Sequence, residues 1–428
     1  MDLNSIDDLH KYIRENNKSL PRGELRSSLI EEIRLNEPCT FNFNLELGGL
    51  KSLYPKLTDF SFIGSIFTHP VQFHSSHIID YHLRFDSCQF LGKVDFHGIK
   101  FSRDIDFIKS VFHEDVTFSE IVFNGCFRLS GSTFQNVKLA YLTLNEKFIL
   151  FTGRADRTIF KGNVYFQNVD FYEAKFWDFH FQQDLIFQDT CFYCTAFFNR
   201  SKFLGKTIFR STDTLGISKF QKRAYFNDAE ISNLMFEGLT IEKFIFFSNA
   251  TIKTISIKNV YCDGVSVSLE NTTIGNIEDE GTARFLKTEA MKSNNPFLVS
   301  ELVAKEMTLR YKSLKWKKDF FDKLIFLLNK CSTNFGEKWQ KGVCFIVLTW
   351  LASFILIILL RDGLNSIIKL FDKAYLKEAI NYLWQFGNLD VLGDSFGFLS
   401  VIIFILGKIL IIYGVYQTIT AFRKYGKR

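Results

Sequence analysis

Between Phe90 and Phe118 a phenylalanine returns at positions 90, 96, 101, 107, 112 and 118, so the interval alternates between six and five residues. A helix repeats its faces about every 3.6 residues and a strand every second residue, and neither gives this period. The pattern continues through Phe123, Leu129 and Phe134, resumes from Phe160 to Phe209, and returns from Phe226 to Phe246. A period held over so much chain marks a repeat architecture and outranks any local helix or strand reading. It also explains the composition. Of 428 residues 50 are Phe, against 5 Pro and 4 Met, which is one structural slot filled many times.

Two residues before successive rings stand Cys88, Val94, Ile99, Ile105, Ser110, Val116 and Ile121. Residues two apart on an extended chain share a face, so each unit offers one large and one small inward side chain and then bends. Four such walls predict a square coil of about twenty to twenty-two residues. Coils stacked roughly 4.8 Å apart would pile Phe90, Phe96, Phe101, Phe107, Phe112, Phe118 and Phe123 into an internal ladder, and about ten coils would make a rod on the order of 50 Å long.

The units FHGIKF and FSEIVF, each with a central Phe and a smaller residue two before it, resemble those of the pentapeptide-repeat family. The resemblance implies a mainly β fold, a right-handed quadrilateral β-helix, and says little about function. The extra residue in every second unit (KVDF, DIDF, DVTF) departs from a strict five-residue repeat and is read as a bulged corner that lengthens the coil.

Around this solenoid, assigned to residues 56–279, the chain changes character. Residues 1–55 read as a helical cap, with Ser5 capping SIDDLHKYI and a second helix in GELRSSLIEEIR. TLGISKFQKRAYF reads as a small helical insertion within the solenoid. Residues 280–341 form a polar helical connector, with one helix in TARFLKTEAMKSNN, a break at Pro296, and a second in FLVSELVAKEMTLRYKSLKW. The connector ends in an amphipathic segment whose Lys315, Trp316, Lys317 and Lys318 suit a membrane surface with anionic headgroups.

Residues 342–428 read as a two-span transmembrane domain with an extracytoplasmic loop, 361–398. Gly342 to Leu360 carries no charge over nineteen residues, roughly 29 Å of helix at about 1.5 Å per residue. A second apolar run, Leu399 to Gln417, is interrupted by Lys408. The connector and this hairpin are similar to bacterial pentapeptide-repeat proteins with two C-terminal spans. The start of the chain lacks the basic and apolar regions of a signal peptide, and lysines crowd before the first span while Arg423, Lys424, Lys427 and Arg428 follow the second. The positive-inside rule then places both termini in the cytoplasm at the inner membrane, where the eight cysteines stay reduced.

Lys408 lies mid-span, where a charge costs a few kcal/mol. It either snorkels or pairs with Asp390 or Asp394 at a span end, or it serves a pore or oligomer interface, with Gly407 and Gly414 allowing close helix approach. AYLKEAINYLWQF and the following GNLDVLGDSFGF match the layout of small two-span cation channels. The potassium filter TVGYG is absent, and an extracytoplasmic amphipathic helix is the plainer reading.

No catalytic, nucleotide-binding or metalloprotease motif occurs, so neither an enzyme nor a cofactor is expected. His69, His74, His77 and His82 invite a metal site, but residues five apart fall on successive walls of a coil, which favours surface imidazoles. Cys191 and Cys194 form one CxxC without a second pair and read as wall thiols. Mimicry of DNA needs dense carboxylates, whereas Asp95, Asp104, Asp106, Glu114 and Asp115 alternate with Lys93, Lys100, Arg103 and Lys109, so no nucleic-acid partner is expected. The expected protein is a membrane-anchored homo-oligomer whose solenoid binds a cytosolic protein or assembles with itself. The alternative is a two-span ion channel or membrane-permeabilising effector, gated by the solenoid.

Overall fold

The computed structural model describes residues 1–16, 32–35, 37–43, 45, 53–74, 78–144, 157–172, 174–212, 218–262, 267–363, 372–384, 390–392 and 397–426. The chain divides into two compact units, Met1–Thr282 and Ala283–Arg428.

The first unit is a β-solenoid of about 9 turns. Every strand pairing among the described residues is parallel, and one coil advances the register by 22 residues through most of the N-terminal half: Phe96 lies beside Phe118, Phe101 beside Phe123, and Phe85 beside Phe107. That advance is two six-residue and two five-residue steps. Alternate walls are a strand of four or five residues (His82–Asp86, Val94–His97, Ile105–Ile108, Val116–Ser119) and a strand of two (Gln89–Phe90, Lys100–Phe101, Val111–Phe112, Val122–Phe123). The two kinds of step are two kinds of corner. Ser87, Gly98, Lys109, Glu120 and Gly131 all have positive φ, and they recur every eleven residues within the five-residue steps. A single left-handed residue turns the chain tightly there, at an order of 1 kcal/mol when it is not Gly. The six-residue steps turn through three residues (91–93, 102–104, 113–115). The extra residue thus widens one corner of each pair, while the left-handed bend belongs to the other.

Inside, the rings stack. Phe90 and Phe112 have centroids 4.5 Å apart, Phe96 and Phe118 4.9 Å, Phe85 and Phe107 5.0 Å, and Phe101 and Phe123 5.2 Å, all within 7° of parallel. The coil rise sets these separations. Around one coil the rings meet edge to face instead, as with Phe107 and Phe112 at 5.4 Å and 69°, the geometry favoured by ring quadrupoles. The small inward column is partly polar for a reason. Ser110 Oγ donates to the Phe85 carbonyl at 3.2 Å and accepts from the Cys88 amide at 3.2 Å, and Ser132 repeats this one coil on for Phe107 and Ser110. A hydroxyl at this slot satisfies backbone groups that the tight corner leaves without ladder partners.

Two expectations differ. The helical cap holds helix α1, Ile6–Asn16, but Glu32–Leu35 is a strand that places Ile33 beside Phe60 and Leu35 beside Phe62. Asp2–Leu3 also pairs with Thr40–Phe41, so coil structure is already present within residues 1–55. Of the expected helical insertion, residues 214–217 lie outside the described residues, and Lys219–Phe220 and Ala224–Tyr225 are strands. Phe220 stacks on Phe192 at 4.7 Å, because the ring spacing reasserts itself there.

The second unit is helical. Helix α2 (Glu280–Lys292) begins at the boundary and α3 (Pro296–Ser313) follows; Arg284 and Lys287 on α2 pair with the buried Glu306 of α3 at 3.3 and 2.5 Å. Helix α4 (Phe320–Thr333) ends at Asn334 in the left-handed region, and α5 (Trp339–Asp362), α6 (Lys373–Trp384) and α7 (Phe398–Gly426) complete the unit.

Candidate functional site

Helices α5 and α7 are long and apolar enough to cross a membrane. A core hairpin of a soluble protein would be mostly buried, but here 22 % of the apolar stretch of α5 and 33 % of that of α7 is buried. Val347, Leu348 and Leu351 on α5, and Ile405, Leu406, Ile409 and Ile412 on α7, face outward.

Helix α6 occupies the inner side of this hairpin. At its beginning Tyr375 Oη donates to Asp362 at 3.1 Å, and Glu378 accepts from Arg361 Nη2 at 3.2 Å, both at the loop end of α5. Seven residues beyond Tyr375 along α6, Tyr382 Oη donates to Ser353 Oγ at 3.0 Å, and the Ala379 carbonyl accepts from Trp350 Nε1 at 2.9 Å. Trp350 and Ser353 lie near the middle of α5, roughly 14–18 Å from its loop end at about 1.5 Å per residue. Helix α6 therefore runs from the loop end to mid-depth. By Val391, whose carbonyl accepts from Arg361 Nη1 at 3.1 Å, the chain is back at the loop end. The course is re-entrant. Phe354, Ile357, Ala379, Tyr382, Val391, Leu392 and Phe404 form the core that holds it. The expected amphipathic helix forms as α6, and it packs against both α5 and α7.

Lys408 sits about 15 Å along α7 from Phe398, also at mid-depth. It is 5 % exposed, and its Nζ donates to the Tyr382 carbonyl near the C-terminus of α6. The ammonium lies 4.2 Å from the Tyr382 ring centroid and 5.4 Å from that of Phe404, within cation–π range of both. Gly407 makes this approach possible, since a Cβ there would collide with Tyr382 Oη and lie 2.7 Å from Ser353 Cβ. Gly414 does the same lower in the hairpin, where a Cβ would lie 2.8 Å from Ile346 Cγ1. Lys408 thus does not snorkel to a span end. Asp390 opens a 3-10 turn, Asp390–Leu392, and Asp394 lies outside the described residues. Sequence reasoning missed Tyr382, Ser353 and Trp350, the groups that fix α6; a Tyr, a Ser and a Trp within apolar runs were the available signal.

Before the hairpin, Lys315, Trp316, Lys317 and Lys318 are exposed, and α4 leaves Phe320, Phe321, Leu324 and Ile325 outward. The Trp339 and Phe422 rings meet at 4.7 Å, tilted by 31°, where α5 begins and α7 nears its end, and Tyr413 Oη donates to Asn329 Oδ1 at 2.8 Å, which ties α4 to α7.

On the solenoid the histidine cluster does not converge. His69 Nδ1 lies 2.9 Å from Thr68 Oγ1, and His77 and the side chain of His74 lie outside the described residues. Among the described residues no group of three His, Cys, Asp or Glu is placed to hold a metal ion. His82 does something else. Its Nδ1 is 3.2 Å from Asp59 and its Nε2 3.0 Å from the buried Asp106, so both ring nitrogens face carboxylates, and the Asp106 hydrogen bond raises its pKa above the usual imidazole value. Arg128 reaches Asp106 at 2.9 Å and Asp104 at 2.8 Å from the next coil. In the CxxC, Cys191 is buried in a wall strand, and burial pushes its thiol upward, away from thiolate chemistry.

The fold is thus a stack of square coils followed by an apolar helical hairpin. Residues 85–133, within the stack of coils, match the family model described as pentapeptide repeats (9 copies). Neither the curated proteins nor the solved structures contain a match to it.

Proposed function

We propose that this is a non-enzymatic protein of the bacterial inner membrane whose hairpins assemble into an ion-conducting pore, with the pentapeptide-repeat solenoid as its cytosolic binding or sensing arm. The observation that carries this reading is the re-entrant helix α6, held at mid-depth between two candidate spans and ending on a buried lysine. An anchor needs two apolar helices and nothing between them. A polar constellation of Ser353, Tyr382 and Lys408 inside the spans costs insertion energy, and such intramembrane groups mark ion or substrate paths. A pore of this size needs several hairpins around one axis, so the active form is a homo-oligomer. The lysines before α5 and the basic residues after Ala421 favour, by the positive-inside rule, an orientation with both termini in the cytoplasm, in which α4 would lie at the inner surface with Lys315, Lys317 and Lys318 toward anionic headgroups. The solenoid's mixed charge suits a protein partner rather than nucleic acid.

Ion flux from proteoliposomes holding the full chain tests the reading. Flux proportional to the amount of folded, inserted protein is the expected result. A tight bilayer under the same conditions would leave a membrane-anchored scaffold, in which the solenoid recruits a partner and the hairpin only holds it in place.

A further inference from the structure

The charge at the inner end of α6 has a sign that can be worked out. The last turn of a helix carries unpaired carbonyls equivalent to roughly half a negative charge. In a re-entrant helix that end points to the bilayer centre, where it favours a cation. Here the ammonium of Lys408 is already seated on it, donating to the Tyr382 carbonyl and flanked by the rings of Tyr382 and Phe404. A full positive charge against about half a negative one leaves the site net positive. Nothing on the spans offsets it, because Gly342 to Leu360 is uncharged and Lys408 is the one charged residue from Phe398 to Phe422. Arg361 pairs with both Asp362 and Glu378 at the loop end; Arg361 and Asp362 lie about 12 Å or more from Ser353 along α5, and Glu378, about 6 Å from Tyr382 along α6, is neutralised by Arg361. A buried charge acts through a low-dielectric wall without lining the lumen, so its 5 % exposure does not shield a nearby ion path.

We propose that Lys408 sets the charge selectivity of the pore, making its midplane favour small anions such as chloride and reject potassium. This rests on the pore reading above. The test is the reversal potential of the full-length protein in planar bilayers under a tenfold potassium chloride gradient. The wild-type protein should reverse on the chloride side of zero. Lys408→Gln, which keeps a donor for the Tyr382 carbonyl but removes the charge, should reverse on the potassium side, because the α6 terminus is then uncompensated. Lys408→Arg should stay on the chloride side, which separates charge from packing. Wild-type reversal on the potassium side, or conduction by Lys408→Gln with unchanged selectivity, overturns this inference and leaves the pore reading intact. If none of the three conducts although each is inserted and monodisperse, the pore reading falls and takes this inference with it.

Discussion

The two units of this chain solve the burial problem in opposite senses. The solenoid puts Phe inside and charge outside: Phe96, Phe101 and Phe107 are fully buried, while Arg128 on a wall and Lys93 and Asp104 at corners reach the surface. The hairpin reverses this, with Leu348 67 % exposed and Lys408 buried. Each arrangement fits one solvent. Water penalises exposed rings and bare backbone, so the solenoid closes every coil against the next. Lipid penalises charge and does not penalise outward leucine, so the hairpin can spend its interior on Tyr382, Ser353 and Lys408. Burial alone therefore does not identify a functional residue. A buried Phe in the first unit is repetition, and a buried Lys in the second is an exception that its surroundings must justify.

The largest effect should come from reversing the solenoid's sense. Phe107→Asp places an unpaired carboxylate in the ring-lined column between Phe85 and Leu129 and should cost more than about 4 kcal/mol, enough to abolish the cooperative β melt followed by circular dichroism. Phe107→Leu should be mild, about 1 kcal/mol, because Leu129 already occupies the next position of the same column. A folded Asp variant would show that the column is not the core.

The hairpin's sense is reversed by Leu348→Asp, near the middle of α5. Insertion should be penalised by about 2.5–3.5 kcal/mol, read as protein released by alkaline extraction of membranes. The matched change on the solenoid, Leu91→Asp, alters a side chain of similar chemistry and partial exposure, 42 %, and should stay within about 0.5 kcal/mol. Equal tolerance at both sites would remove the contrast between the units.

The solenoid was legible because its signal is written in one residue type. Phe spacing predicts the inward column, and summing the steps predicts a coil of up to 22 residues. It failed where the apolar pattern is short. Ile33 and Leu35 alternate only once, so GELRSSLIEEIR reads as a helix, although pairing with Phe60 and Phe62 makes its end a strand. The re-entrant helix was half legible. The amphipathic pattern of AYLKEAINYLW reveals an apolar face but not which surface it meets, and a lipid-facing helix and one inserted between spans look alike. Lys408 was visible as an anomaly, while its partner, the Tyr382 carbonyl, was not, because a backbone acceptor has no letter in the sequence.

The smallest expected effect sharpens the comparison from the solenoid side, since His82 is an ionisable group paired with carboxylates on a wall, whereas Lys408 is enclosed by aromatic rings and a backbone carbonyl. The imidazole is held by Asp106 and Asp59, and the hydrogen bond to Asp106 raises its folded pKa above the ordinary value of about 6.5. A raised value means the folded state binds the proton more tightly than the unfolded chain. The resulting stabilisation is complete below about pH 6.5 and is lost as pH rises through the folded value. Solenoid melting should therefore fall modestly between mildly acidic and mildly alkaline buffer, tempered because the side chain is 29 % exposed. His82→Gln should flatten that slope while leaving the alkaline melting temperature nearly unchanged. A slope that survives the substitution would move the titrating group elsewhere and leave Arg128 as the cation that holds Asp106 in its buried place.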